Sequence, residues 1–216
     1  MFYLRQLSNY NFCIHHGDTN AAIMHLWHEG VSGRGGNEIA SCILKTMMNE
    51  VPRKQSMNMW SDNCCGQNKN KMIMFLWIYL VAKGIFSQVN HKFLISGRSF
   101  LNCDRDFALI EKRKRVTRCN TQKDLIEMIC STRTVQTYQV VIMNPEDFYD
   151  FKLASESCIN TTKLKMSKVH WIQVNSDCPG KIKIKQTFSE LEEWQTVNVL
   201  KKGVTMEKIK NFKLPQ

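Results

Sequence analysis

The stretch MNMWSDNCCGQNKN, Met57 to Asn70, decides how this chain is read. A short apolar run ends on the acid Asp62. Small polar residues with one glycine follow, and the apolar run MIMFLWIYLVA begins at Met72. That order spells strand, turn, helix, with Asp62 at the carboxyl end of the strand, where α/β sheets hold ligands and metals. The apolar run covers only the eleven residues Met72 to Ala82. A membrane span needs about 20, so a buried helix is expected over Lys69 to Lys83, closed by Gly84.

Upstream, YNFCIHH (Tyr10 to His16) and AAIMHLWHE (Ala21 to Glu29) flank the turn cluster Gly17-Asp18-Thr19-Asn20 and predict a hairpin. After the glycine-rich loop GVSGRGG (Gly30 to Gly36), Asn37 is expected to cap a helix over Glu38 to Glu50, ended by Pro52. Downstream, HKFLI (His91 to Ile95) predicts a strand. Helices are expected over Asp104 to Arg113 and Thr121 to Cys130. Beyond a soft boundary near Thr132 come an expected strand (Tyr138 to Met143), a short helix (Pro145 to Lys152), and strands over Val169 to Val174 and Lys181 to Lys185. The last, KIKIK, alternates so that one face is basic and the other apolar.

The chain has 216 residues, 43% hydrophobic and 23% charged, which describes a folded domain and not a disordered one. A net charge of +11 favours an anionic partner, nucleic acid before an acidic membrane. The nine cysteines include no C-x-x-C pair, and no charged-then-apolar signal opens the sequence. Reduced thiols in the cytoplasm or nucleus are therefore expected. Met1 to Asn11 begins apolar without a start signal, as if the chain were a fragment of something longer.

Hairpin, helix, strand, helix, strand, helix is an order that resembles a ribonuclease-H-like core lacking its first strand. The expected fold is therefore α/β, a mixed sheet flanked by helices over residues 1–131, with a small C-terminal α+β extension over 132–216. The strings HLWHEGVSGRGGNEIASCILK, MWSDNCCGQNKNK and HKFLISGRSFLNCDRDFALIEK resemble an uncharacterised arthropod domain family of transposon derivation with such a core. The resemblance runs over most of the chain. It implies a transposase- or nuclease-type domain that cleaves phosphodiesters with Mg²⁺ or Mn²⁺, ions that take oxygen ligands. Matched block by block, it places acids at Glu38, Asp62, Asp104 and Glu111, with Glu38, Asp62 and Asp104 as metal ligands. The chain departs from the family in carrying Arg98 after Gly97, where a histidine is usual, and in starting after the strand that supplies the first acid.

Each residue also has a plainer reading. Asp62 can cap its own turn, and Glu38 suits a helix N-terminus whatever its function. Asp104 and Glu111 share a helix face but stand about 10 Å apart, too far for one metal. Asp106 is expected to complement the helix dipole. Arg34, Lys69, Lys71, Arg98 and the run Lys112-Arg113-Lys114-Arg115 would hold a nucleic-acid backbone, DNA in the first instance. The alternative for that run is a solvated helix end. Cys13, His15, His16, His25 and His28 form no set with the usual zinc spacing. Trp27, Trp60 and Trp77 are expected in the core. A catalytically inactive nucleic-acid-binding module and a protein-interaction domain are the competing functions.

Overall fold

In the computed structural model, which describes residues 7–50, 56–95, 97 and 100–216, the chain divides into two compact units. The first comprises Met1–Gly33 and Phe100–Asp147, the second Arg34–Ser99 and Phe148–Gln216. The start of the chain up to Gln6, the helix-ending Pro52 and Arg98 lie outside the described residues.

The first unit is built on the expected hairpin. Strand β1 (Asn9–His15) pairs antiparallel with β2 (Ala22–His28), from Asn9 opposite His28 to His15 opposite Ala22. Strand β5 (Gln139–Ile142) joins the other side of β2 in parallel. Helices α3 (Asn102–Lys114) and α4 (Gln122–Cys130) lie against this sheet. Met24 and Leu26 from β2 meet Ile110 of α3 and Met128 and Ile129 of α4 in one apolar cluster. Thr121 caps α4, its hydroxyl accepting from Asp124 N at 3.2 Å.

The second unit holds a five-stranded mixed sheet in the order β3-β4-β6-β7-β8. Strands β3 (Ser56–Ser61) and β4 (Gln88–Phe93) are parallel. Strands β6 (Trp171–Asn175), β7 (Lys181–Lys185) and β8 (Gln195–Asn198) follow antiparallel. Helix α2 (Lys71–Ala82) covers one face, with α1 (Gly36–Glu50), α5 (Phe151–Cys158) and α6 (Met206–Lys210) packed around it. The nine residues Ile73 to Val81 of α2 are all buried. That is why its sequence is apolar on every side. Among the described residues no helix is long and apolar enough to cross a membrane.

The architecture is therefore α/β with two mixed sheets flanked by helices, and several expectations need correction. The C-terminal segment is no appended extension, because β6 bonds along β4 and carries β7 and β8 into the same sheet. Residues 100–147 group instead with the hairpin, so the boundary at residue 132 cuts across the units. Helix α1 starts before Asn37, since Ile39 N already bonds Gly35 O at 3.1 Å. Strand β4 starts at Gln88, opposite Ser56, and stops at Phe93. The expected helix over Pro145 to Lys152 is a 3-10 turn (Pro145–Asp147), and α5 begins only at Phe151, capped by Asp150. Strand β8 and helix α6 have no counterpart in the sequence reading.

Candidate functional site at the carboxyl end of strand β3

The end of β3 is held from behind by a buried relay. Trp77 on α2 donates its indole N–H to His91 Nδ1 at 3.1 Å. With Nδ1 accepting, Nε2 carries the proton and faces Ser61 Oγ at 2.9 Å, and Ser61 Oγ in turn donates to the Asp62 carbonyl at 2.9 Å. His91 is fully buried, and burial lowers its pKa to about 3, so the ring stays neutral. Three side chains thus fix the backbone on which Asp62 sits.

Asp62 itself is exposed. Its Oδ1 accepts from Cys64 N at 3.0 Å and Asn68 Nδ2 at 2.8 Å, the turn-capping role that short acids take at strand ends. The loop closes on Asn70, whose Oδ1 caps α2 through Met72 N and Ile73 N while Nδ2 reaches the Cys65 and Gln67 carbonyls. The start of α1 comes against this cap. A Cβ on Gly36 would push the Met72 side chain aside and meet Asn70 Nδ2 at 3.0 Å, so the two segments approach closely here. On the same helix turn Glu38 Oε2 accepts from Gly35 N at 2.6 Å. Glu38 and Asp62 therefore belong to neighbouring caps in one unit. Asn37, expected as the cap of α1, instead bonds Asp150 Oδ1 at 3.2 Å and Lys152 N at 2.9 Å.

The expected cations around Asp62 divide. Arg34 is exposed. Lys71 pairs with Glu156 at 2.8 Å and holds that carboxyl below its ordinary range. Lys69 is only 2% exposed, a correction to its expected place among the backbone contacts. Its ammonium bonds Ser167 O at 3.3 Å and lies 5.4 Å from the centre of the Phe93 ring, and burial lowers its pKa.

In the first unit Asp104 is exposed, and its Oδ2 accepts from Leu101 N at 2.8 Å at the start of α3. Glu111 is exposed, 3.7 Å from Lys114, and Lys112 to Arg115 form a solvated basic end to α3. Arg98 lies outside the described residues. Asp106, expected as a dipole complement, is 1% exposed. His15 Nδ1 contacts it at 2.7 Å, the Tyr138 hydroxyl donates to it at 3.0 Å, and Arg133 stands 3.7 Å away. Burial and this hydrogen bond push the Tyr138 phenol up. In the sequence, strand alternation places Cys13 and His15 of β1 on one face, the local signal that leads here.

Among the described residues no three His, Cys, Asp or Glu side chains come together to hold a metal ion. At the end of β3 Asp62, and at the start of α1 Glu38, each have a carboxylate oxygen already bonded to backbone N–H. Magnesium is often held by one or two carboxylates together with substrate phosphates, but this pair is not a complete centre. All nine cysteines are free thiols. No curated protein and no solved structure matches the chain. Residues 10–190 match the family model described as Domain of unknown function (DUF7869), and the chain belongs to that family.

Proposed function

We propose that this is a transposon-derived, nuclease- or transposase-like domain with a ribonuclease-H-like core, acting on nucleic-acid phosphodiesters at the carboxyl end of β3. The observation that carries the reading is Asp62. It is an exposed carboxylate at the end of a strand parallel to its neighbour, seated on a buried Trp77–His91–Ser61 relay, next to the N-termini of α1 and α2. Strand ends and helix N-termini of this kind hold phosphates. Strand β3 is the outermost strand of its sheet, so a further strand has an edge on which to pair. The net charge of +11 suits a polyanionic partner, and a nuclear or cytoplasmic setting goes with it.

Mg²⁺ or Mn²⁺ is the cofactor this chemistry calls for. Among the described residues the carboxylates present do not form a complete set of ligands for it. A second reading, nucleic-acid binding without cleavage, is favoured by one observation: Glu38, Asp62 and Asp104 each already serve as a cap.

The full-length protein is to be incubated with labelled single- and double-stranded DNA, with Mg²⁺, Mn²⁺ or EDTA. Metal-dependent cleavage that falls at least about 100-fold in Asp62→Asn supports the first reading. Asp104→Asn tests the ligand role expected for it from the sequence. No cleavage, with binding that weakens steeply with salt, supports the second. Neither cleavage nor binding overturns both.

A further inference from the structure

We infer that the helix-free face of the second unit's sheet is a binding platform for single-stranded nucleic acid. The strand register lays its outward residues in rows. One row runs Trp60, Lys92, Trp171, Lys185 across β3, β4, β6 and β7. The next runs Asn58, Asn90, Gln173, Lys183. The third includes Lys181 on β7, opposite Asn198 on β8. The intervening residues, His91, Ile172 and Ile184 among them, are buried on the opposite side, where α2 lies. No aspartate or glutamate occupies any of these outward positions, which carry four lysines.

The rings and amines alternate in contact. The Lys92 ammonium lies 4.7 Å from the Trp60 ring centre and 4.0 Å from that of Trp171. Trp194 stands 4.8 Å from Trp171. Phe188 packs on Trp60 at 5.7 Å, so the connection between β7 and β8 walls the row from its Lys185 end to its Trp60 end. Lys185 is spent inside this wall, donating to the Ser189 carbonyl at 3.0 Å. Glu192 in the same connection is taken up by the Gln186 and Thr187 amides at 2.7 Å each. Lys92, Lys183 and Lys181 remain for an anion.

Trp60 was expected in the core, yet it is 46% exposed. An indole left open at the edge of a lysine-bearing sheet face is costly to leave wet and has a ready use. Unstacked bases lie on such rings while the backbone follows the amines. The amide row is tied together, with buried Asn90 accepting through Oδ1 from both Gln173 Nε2 and Trp171 Nε1 and donating through Nδ2 to Asn58 Oδ1 at 3.0 Å. Double-stranded nucleic acid presents no free base to the indole, so the occupant is a single strand.

This inference does not rest on phosphodiester chemistry at Asp62, and its test is run in EDTA, where cleavage cannot contribute. Fluorescein-labelled oligothymidylate and oligouridylate 20-mers, and a duplex of the same length, are titrated with the full-length protein by anisotropy. The single strands are expected to bind more tightly than the duplex. Trp60→Ala should weaken single-strand binding roughly five- to hundred-fold, the loss of one stacked base, and Trp60→Phe should recover most of it. Lys183→Glu should weaken binding and flatten its salt dependence. Circular dichroism confirms that each variant is folded. Wild-type affinity in both Trp60→Ala and Lys183→Glu would overturn the inference. So would equal affinity for the duplex, or for polyglutamate of matching charge.

Discussion

Asp106 in the first unit and His91 in the second are both sealed from solvent, and the two units keep them in opposite ways. Around Asp106 the chain gathers partners from two distant segments: His15 on β1, and Arg133 and Tyr138 in the connection between α4 and β5. A buried carboxylate is tolerable when its lone pairs are met and an opposite charge is near. Around His91 the neighbours are the rings of Trp77 and Phe93, and the imidazole keeps only two hydrogen bonds. There the fold removes the charge instead of matching it, which is the cheaper course where the walls are apolar. The difference teaches that burial alone does not mark a reactive group. What surrounds it, polar partners or apolar walls, decides how it is held.

The comparison is tested most severely by removing Asp106. Asp106→Ala leaves the Tyr138 hydroxyl without its acceptor and removes the carboxyl that faces His15 Nδ1 and Arg133. It should cost about 3–5 kcal/mol in chemical denaturation of the full chain. A loss under about 1 kcal/mol would mean that the network contributes little.

The next effect is pH. The His91 pKa is about 3 in the folded protein and about 6.5 in an unfolded chain. Between those values the unfolded chain binds the additional proton, so stability is whole above about pH 6.5 and falls as pH drops toward 3. The loss should amount to a few kcal/mol. It should be flatter in His91→Gln over the same window. A His91 ring that titrates by NMR near the ordinary histidine value would break the contrast.

Smaller effects lie at the caps. Asn70→Ala removes a side chain that caps α2 and ties two loop carbonyls, whereas Thr121→Ala removes a single cap bond on α4. Both should cost about 0.5–2 kcal/mol, Asn70 toward the upper end, by thermal or chemical melts. Lys71→Ala breaks a solvent-facing pair with Glu156. It should change stability by less than about 1 kcal/mol, and by less again at high salt.

Much of the fold was open to reading because its signals are local. The unbroken apolar run from Met72 predicts a helix buried on all sides, and KIKIK predicts a strand with a basic face, since both patterns need only neighbours in sequence. The hairpin, and the strand-turn-helix around Asp62, follow from turn residues between apolar runs. Trp60 departs from its expected place in the core. It lies in an apolar run, but the alternation that turns Ser61 inward turns Trp60 outward. Asn37 looked like a cap because its residue type favours one, yet its amide is committed to Asp150 and the helix begins earlier.

What the amino-acid order determined by itself was the kind of elements, most of their places, and the position of Asp62 at a strand end. Those depend on periodicity and turn chemistry within a dozen residues. What only the tertiary structure decided was the partnership of elements far apart in the chain: β6 along β4, β5 along β2, and His15 against Asp106. Backbone hydrogen bonds between strands carry no side-chain signature that names the partner. The burial of Lys69 and Asp106 likewise depends on segments roughly thirty to a hundred residues away, whose approach no local pattern reports.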